Sequence, residues 1–288
     1  MEERIWNTSL LNDTGRRKSE LCKAKDLQTE WYSRWCTELK EEHHIHRKQW
    51  EYIFILQSLW ERGCIGKGKR GLGFAVGTEP LPSLFASYGC EIVATDIHPE
   101  KGTELGWTDA NQLCFGVESL NTRGLCPQED FEKLVQYRPV DMNAIPDDLT
   151  GFDFTWSSCS FEHLGTIQKG IDFLINQLKT LKPGGWAVHT TEFNISSNDQ
   201  TLDDANTVIF RRKDVEQVAA EVMRLGHFME ELDYSLGGLP EDFHVDIFPY
   251  KSDVHLRLQI NEYVATSIGI IIQKKEKKGF MNKVKSKW

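Results

Sequence analysis

From about residue 68 onward, short apolar runs alternate along the chain with segments whose apolar residues recur every three to four positions. The runs have the length and β-branched composition of strands, and the segments have the spacing of amphipathic helices. The predicted strands end near Asp96, Trp156, Thr191 and Ile272. Strands that alternate with helices predict an α/β fold built on a parallel, doubly wound sheet.

Three helices follow from the apolar spacing. They are marked by Leu81, Leu84, Phe85 and Tyr88, by Ile167, Ile171, Leu174, Leu178 and Leu181, and by Val215, Val218, Ala219 and Val222. The run Lys182-Pro183-Gly184-Gly185 predicts a helix stop, because proline and glycine cannot continue the helix there. Residues 101–140 carry scattered Gly, Asn and Pro and are predicted to be irregular.

Residues 1–62 are polar, helix-friendly and rich in tryptophan. They hold five of the nine tryptophans, namely Trp6, Trp31, Trp35, Trp50 and Trp60. We predict two or three helices that form an N-terminal cap. Its aromatic residues are expected to pack on the main domain, since such stripes are usually core; the alternative is that they form one wall of a substrate pocket. The histidines at 43, 44 and 46 are interpreted as the solvated face of a charged helix, because no zinc-type spacing accompanies them.

Composition and charge narrow the function classes. A chain of 288 residues with 40% hydrophobic and 27% charged residues is typical of a globular protein, which excludes collagen and general disorder. The seven cysteines include no CxxC pair, which argues against a disulfide framework and a zinc ribbon. No apolar run approaches a membrane span and the first residues lack a signal-peptide core, so we expect a cytoplasmic protein.

The net charge of −9 conceals an asymmetry. Residues 273–288 contain seven lysines and one glutamate, which leaves −15 for the other 272 residues. An acidic body does not suggest nucleic-acid binding. The basic tail, residues 274–288, also contains Phe280, Met281, Val284 and Trp288, so it is either a solvated end or a segment for peripheral contact with an anionic, inner membrane face.

A glycine-rich loop is the first chemical signal. Gly71, Gly73 and Gly77 precede a helix, and Asp96 ends the next strand 19 residues after Gly77. Such a turn brings backbone N–H groups close to a ligand, and an acid at that distance suits ribose hydroxyls. The pattern is compatible with a dinucleotide or an adenosyl cofactor. The nicotinamide fingerprint is not met, because its third glycine position is Val76.

Further motifs give the loop a specific resemblance. The chain resembles the class I S-adenosylmethionine-dependent methyltransferases, whose fold is Rossmann-like. The matching stretches, in the family's order, are Gly73-Phe74-Ala75-Val76-Gly77, Val93-Ala94-Thr95-Asp96-Ile97, Val140-Asp141-Met142-Asn143-Ala144-Ile145-Pro146, residues 152–164 with Glu162-His163-Leu164, and Leu181-Lys182-Pro183-Gly184-Gly185. They cover roughly residues 68–192.

The resemblance implies a seven-stranded sheet whose last strand is antiparallel. Residues 228–234 would be strand six, 266–273 strand seven, and 235–262 an excursion over the active-site face. We therefore expect an N-terminal cap (1–62), a methyltransferase domain (63–273) and the basic tail.

The resemblance also implies S-adenosylmethionine as cofactor. Its binding residues would be Gly71, Gly73, Ala75, Gly77, Glu79, Asp96, Ile97, Asp141, Met142 and Ser157. The sequence departs from the family at two of them. Gly71 stands where the family usually has an acid that holds the methionine end, and Glu79 is proposed to substitute for it. Ala75 replaces the middle glycine of the loop.

The family fixes no general base, so the catalytic candidates follow from location. His163 comes after strand four and Glu192 lies at the tip of strand five, both at the catalytic edge. His189 is expected to be core, on the opposite face of its strand. Asp246, Tyr250 and His255 lie in the excursion. Glu192, Asp246 and His163 would form a divalent-cation site if they met, but no metal is predicted from the sequence.

We expect methylation of an oxygen in a glycan or polar small molecule. Two alternatives remain open at this point: a nicotinamide-dependent oxidoreductase on a similar sheet, and a non-catalytic partner protein with a cofactor fold. The first lacks its glycine fingerprint and a Tyr-x-x-x-Lys pair. The second draws its support from Gly71 in the place of the acid.

Overall fold

The structure is a computed structural model that describes residues 15–98, 100, 114, 116–203 and 206–276. Two predictions fall outside these residues: the packing of Trp6, and the part of the basic tail from residue 277 onward. The candidate site residues all lie inside them.

Twelve strands are present in the described part of the chain. They are β1 (Ser19–Leu21), β2 (Ile45–His46), β3 (Arg70–Gly73), β4 (Glu91–Asp96), β5 (Val135–Pro139), β6 (Phe152–Ser158), β7 (Leu181–Asn194), β8 (Phe228–Met229), β9 (Leu232–Asp233), β10 (Val254–His255), β11 (Leu258–Ile260) and β12 (Tyr263–Gln273). The helices are α1 (Ala24–Leu27), α2 (Glu30–Glu38), α3 (Arg47–Glu61), α4 (Leu81–Ser87), α5 (Gln128–Leu134), α6 (Ile167–Asn176), α7 (Arg212–Arg224) and α8 (Pro240–Phe243).

The main sheet has the strand order β5-β4-β3-β6-β7-β12, and β8 pairs with β12. The first five of these strands are parallel, and β12 is antiparallel to β7. The predicted seven-stranded doubly wound sheet with an antiparallel last strand is therefore confirmed. This is the class I methyltransferase fold, and the C-terminal ends of its parallel strands form one edge, where such sheets bind ligands.

The predicted sixth strand, residues 228–234, is broken in two. Its first half, β8, pairs with β12, whereas its second half, β9, pairs with β1. The cause is β1, which comes from the N-terminal segment and occupies the edge of β12 at Ile268 and Gly269. The sequence analysis did not predict that this segment contributes a strand to the sheet.

The N-terminal segment packs on one face of the sheet through α2 and α3. Trp35 and Trp50 are fully buried in the same apolar cluster as Phe154 and Trp156 of β6. Gly269 of β12 lies directly under the Phe54 ring, and a Cβ there would be 2.1 Å from it. The aromatic residues of the cap are therefore core, as predicted, and the opposite face is covered by α6 and α7.

Three local predictions are corrected. The segment 101–140 is not irregular throughout, because its last third forms α5, which buries Phe131, and the edge strand β5. The run His43–His46 is not a helix: its end is β2, which pairs with β10, and His46 caps α3 by accepting a hydrogen bond from Lys48 N–H. The residues Leu181–Gly185 already belong to β7, and the helix before them ends at Asn176.

The excursion 235–262 returns to the N-terminal segment. Val254 and His255 of β10 pair with Ile45 and His46 of β2, immediately before α3. The excursion and the start of α3 therefore meet beside the C-terminal edge of the sheet.

Candidate functional site

The loop Gly73–Gly77 joins β3 to α4 at the C-terminal edge. Ala75 and Gly77 adopt left-handed backbone angles, with φ of +48° and +51°. Asp96, at the tip of β4, accepts hydrogen bonds from the N–H groups of Gly77 (3.1 Å), Ile97 (2.8 Å) and Cys114 (3.0 Å). Burial raises the pKa of Asp96, and the three N–H donors oppose that shift. The predicted ribose-binding acid thus lies against the glycine loop.

The missing acid at position 71 has a packing explanation. A Cβ on Gly71 would be 2.4 Å from the Phe154 ring, and a Cβ on Gly73 would be 2.4 Å from the Trp156 indole. Both aromatic residues are fully buried in β6. The Phe154 ring occupies the space that a side chain at position 71 would need. An acidic side chain therefore does not fit at this position.

Glu79, the predicted substitute for the missing acid, lies two residues after Gly77 and just before α4. Its carboxylate accepts a 2.5 Å hydrogen bond from the Trp156 indole N–H, and only 6% of the residue is exposed. Burial raises the pKa of Glu79 to about 8, although the hydrogen bond from Trp156 and the charge of Lys48 oppose it. The Trp156 indole therefore fixes the Glu79 carboxylate in a buried position just after the glycine loop.

Three further residues were predicted to bind the cofactor, namely Asp141, Met142 and Ser157, and they lie in two different environments. Asp141 and Met142 lie two and three residues after β5, and Asp141 accepts a hydrogen bond from Asn143 N–H, which fixes the turn. Both line a surface cavity against α6. The Ser157 side chain is turned away: it is fully buried and hydrogen bonds to His189 Nδ1 at 2.8 Å. Any contact between Ser157 and a cofactor would have to use its backbone.

His189 lies in the core, where the sequence analysis placed it. It is fully buried between Phe161 and Phe173, and burial lowers its pKa to about 3. A neutral imidazole held in this way supports the sheet and has no access to a substrate.

A buried cluster of charges lies where α3 meets the ends of β6 and β7. Arg47 forms ion pairs with Glu192 of β7 (2.5 Å) and Glu51 (3.0 Å). Lys48 pairs with Glu51 at 2.8 Å, and Ser267 of β12 donates to Glu51 at 2.5 Å. The helix from the N-terminal segment therefore contributes charged side chains to the C-terminal edge of the sheet.

Two acids in this cluster hold protons more tightly than usual. Burial raises the pKa of Glu162 to about 7, and burial raises the pKa of Glu192 although Arg47 opposes it. Glu162 accepts a hydrogen bond from Thr191 at 3.0 Å. Glu192 Oε1 is paired with Arg47, whereas Oε2 is buried without a hydrogen-bond partner among the described residues. Such groups are typical of sites that bind or deprotonate a ligand.

His163 lies one turn after β6. Its Nδ1 lies 2.7 Å from the carbonyl oxygen of Asn206, so Nδ1 carries the hydrogen and the lone pair of the neutral ring is on Nε2. Burial lowers the pKa of His163, and the charge of Glu192 opposes that shift. A neutral imidazole at pH 7 is the form that a general base requires.

The candidate cation site of His163, Glu192 and Asp246 does not form. Asp246 instead accepts a 2.7 Å hydrogen bond from His255 Nδ1, and the His255 ring stacks on His46 with centroids 4.5 Å apart. This pair joins the excursion to β2 and has a structural role.

Five residues of the cluster were not predicted as site residues: Arg47, Lys48, Glu51, Cys159 and Glu162. Cys159 and Glu162 belong to the matching stretch 152–164, and their position after a strand was the available signal. The three residues of α3 carry no comparable signal, because α3 reaches β7 from more than 130 residues away in sequence.

No protein-family model and no curated protein matches the chain. The chain is similar to solved structures of methyltransferases. A phosphoethanolamine N-methyltransferase 2 from Haemonchus contortus, solved with S-adenosyl-L-methionine, is 14% identical over 85% of this chain and 56% of its own, with a TM-score of 0.49. A TehB-like SAM-dependent methyltransferase from Corynebacterium glutamicum is 14% identical over 87% and 99%, with a TM-score of 0.43. A SAM-dependent methyltransferase from Aquifex aeolicus is 14% identical over 75% and 86%, with a TM-score of 0.41. The fold assignment itself comes from the strand order of the chain.

Proposed function

We propose that the protein is an S-adenosylmethionine-dependent methyltransferase. The observation that carries the proposal is the arrangement at the edge of the sheet. The buried carboxylate of Asp96 lies against the glycine loop, and the buried Glu79, which interacts electrostatically with Asp96, lies just before α4. Asp96 would bind the ribose hydroxyls, and Glu79 would bind the cationic methionine end.

An oxygen nucleophile is the acceptor that this site suits best. A hydroxyl must lose its proton, whereas a neutral amine can be methylated without a base. The cluster offers groups for that step: His163 is held neutral, and Glu192 lies in the same region. The acceptor proton would pass to one of these two groups. The acceptor oxygen would then bond to the methyl carbon, and the sulfur would keep the electron pair of the broken S–C bond.

We further propose that the acceptor is polar, as in a glycan or a small metabolite. Its binding region would lie between α3 and the excursion 235–262, because these elements meet beside the charged cluster. The excursion also carries exposed aromatic side chains, including Phe248 (78% exposed) and Tyr250 (41%). Aromatic faces next to charged groups suit a ligand that has both apolar faces and hydroxyls.

Calorimetric titration tests the cofactor. We expect S-adenosylmethionine to bind and NADH not to bind. The variant Asp96→Ala should weaken S-adenosylmethionine binding by about 1.5–3 kcal/mol, since it removes charge-assisted hydrogen bonds. Asp147→Ala, a change at an exposed acid after β5, is the control and should leave the affinity unchanged. Tight NADH binding without sulfonium binding would support the oxidoreductase alternative and refute the proposal.

Cofactor binding should depend on pH through Glu79. Since the pKa of Glu79 in the free protein is about 8, a cationic ligand must displace its proton at neutral pH. We expect the affinity for S-adenosylmethionine to rise between pH 6 and 8, by up to about tenfold per pH unit. Calorimetry in two buffers of different ionisation enthalpy would detect the released proton. The Glu79→Gln variant should show weaker binding and a flatter profile; equal slopes for both proteins would contradict this role.

We also propose that the basic tail contacts an anionic membrane surface. No helix in the described residues is long and apolar enough to cross a membrane. Strand β12 runs from the catalytic edge, where Ala265 pairs with Asn194, to the opposite edge, where Gln273 pairs with Trp186. The tail thus begins roughly 25 Å from the candidate site, at about 3.3 Å per strand residue.

A further inference from the structure

Three side chains at the catalytic edge point metal-binding atoms at one another. The sulfur of Cys159 and one carboxylate oxygen each from Glu162 and Glu192 all lie within 4.8 Å of one another. Glu162 and Glu192 are buried, with 1% and 5% exposure. Cys159 directly follows β6, Glu162 lies three residues further on in the next turn, and Glu192 lies near the end of β7, so the sheet itself brings the three residues together.

The second observation is the unpaired oxygen of Glu192. A buried carboxylate oxygen without a partner costs roughly 1–3 kcal/mol, so such atoms are rare unless a ligand serves them. The two oxygens of Glu192 have different surroundings. Oε1 forms an ion pair with the Arg47 guanidinium, and Oε2 has no hydrogen-bond partner in the described part of the chain.

We propose that Cys159, Glu162 and Glu192 bind a divalent transition-metal ion. One thiolate and two carboxylates form a mixed set that suits Zn²⁺ or Co²⁺ better than Mg²⁺ or Ca²⁺, which prefer oxygen alone. With bonds of about 2.0–2.3 Å, two ligand atoms on one ion lie at most about 4.6 Å apart, which is close to the present upper limit of 4.8 Å.

The charges of the surrounding cluster balance such an ion. With Cys159 as thiolate and Glu51, Glu162 and Glu192 ionised, the acids contribute −4, and Arg47 and Lys48 contribute +2. One divalent cation would neutralise the remaining charge of −2. Without the ion, the same cluster must retain protons, and burial does raise the pKa values of Cys159, Glu162 and Glu192.

Each ligand also has a neighbour that can orient it. Arg47 holds Glu192 Oε1, and Thr191 donates to Glu162 Oε2. Arg47 Nη1 lies 3.8 Å from the sulfur of Cys159, where its charge would favour the thiolate once an ion displaces the proton. Contacts of this kind fix the free lone pairs of the ligands and tune metal affinity.

The role of the ion rests on the proposed methyl transfer. Three protein ligands leave a coordination position open, as in catalytic zinc sites. An acceptor hydroxyl bound there would lose its proton more readily. Glu192 would then hold the ion, and His163 would take the proton.

Cobalt titration of the full chain tests the site. After treatment with a chelator, the protein is titrated with Co²⁺ and followed by absorption spectroscopy and calorimetry. We expect one ion per chain and the near-ultraviolet charge-transfer band that a thiolate ligand gives. Cys159→Ser should abolish the band, and Glu192→Gln should weaken binding by at least about tenfold. Circular dichroism and thermal melting verify that each variant is folded.

Cys90→Ser is the matched control. Cys90 is also a buried, reduced cysteine, but it precedes β4 and therefore lies at the opposite edge of the sheet. Absence of stoichiometric Co²⁺ binding, or a band that survives in Cys159→Ser, would overturn the inference. Titration of the same samples with S-adenosylmethionine separates the two proposals: cofactor binding without Co²⁺ binding refutes only the metal site, and the reverse refutes only the proposed function.

Discussion

Replacement of Glu192 by Gln should lower kcat by about 10²- to 10⁴-fold and change the affinity for S-adenosylmethionine much less. The carboxylate lies near the end of β7 beside Arg47, whereas Asp96 and Glu79, which we propose to bind the cofactor, lie on the other side of β6. A group that acts on the acceptor affects the chemical step and leaves the adenosyl contacts intact. His163→Ala should have the same pattern, because it removes the other candidate base.

The measurement requires an acceptor, which a screen with methyl-labelled S-adenosylmethionine and mass spectrometry would supply. Glu91→Gln is the matched control, since Glu91 begins β4 at the opposite edge of the sheet and its side chain is 60% exposed. It should retain wild-type kcat. Full activity in both Glu192→Gln and His163→Ala would exclude both residues as the general base. The excursion 235–262 would then be the next place to look for it.

The cofactor end of the site could be predicted from sequence because its determinants are local. A strand, a glycine-rich turn and an acid at the tip of the next strand are fixed by backbone geometry within about thirty residues. The contact of Asp96 with Gly77 N–H is therefore visible in the spacing of the two residues. The choice of Glu79 as a substitute for the missing acid also came from the sequence, since few acids lie near the loop, and it stays a prediction.

The contacts that surround Gly71 and Glu79 could not be predicted from the sequence. Gly71 is forced by the ring of Phe154, and Glu79 is held by Trp156, both from a strand some eighty residues later in the chain. Sequence spacing carries no information about which side chains of adjacent parallel strands face one another. The same limit explains Ser157, whose side chain proves to lie on the His189 face of β6.

The acceptor end was missed for a related reason. The N-terminal segment was interpreted as a cap that packs on the domain, and its tryptophans do so. Two charged residues of the segment make different contacts. At the first turn of α3, Arg47 pairs with Glu192 and Lys48 pairs with Glu51. The pairing of β2 with β10 fixes this end of α3, and pairing between two-residue strands leaves no periodicity in the sequence.

Removal of the Arg47 charge should destabilise the metal-free protein by about 3–5 kcal/mol. The guanidinium is 12% exposed and pairs with two buried carboxylates, Glu192 and Glu51. In Arg47→Met the stem would still pack, but two buried acids would lose a partner, and loss of one member of a buried ion pair has this cost. Urea unfolding at pH 7 with a chelator measures the change in the free energy of unfolding.

The control for this variant is Arg224→Met. Arg224 pairs with Glu221 on the surface, its side chain is 67% exposed, and such pairs contribute about 0–1 kcal/mol. Addition of Glu192→Gln to Arg47→Met should recover part of the lost stability, because the double variant contains one unpaired buried charge fewer. An additive loss in the double variant would mean that the two residues do not interact.

The loss should also depend on pH. Burial disfavours the charged form of Glu51, but Lys48 and Arg47 outweigh it and lower its pKa to about 2. A carboxyl whose pKa is lowered on folding contributes stability above its unfolded pKa of about 4.3, and loses that contribution as the pH falls toward the folded value. Without Arg47 the pKa of Glu51 rises toward the unfolded value, so the variant lacks part of that contribution at pH 7. The difference between Arg47→Met and the wild type should therefore be largest at neutral pH and shrink below about pH 4; a difference that stays constant would point to lost packing of the arginine stem as its cause.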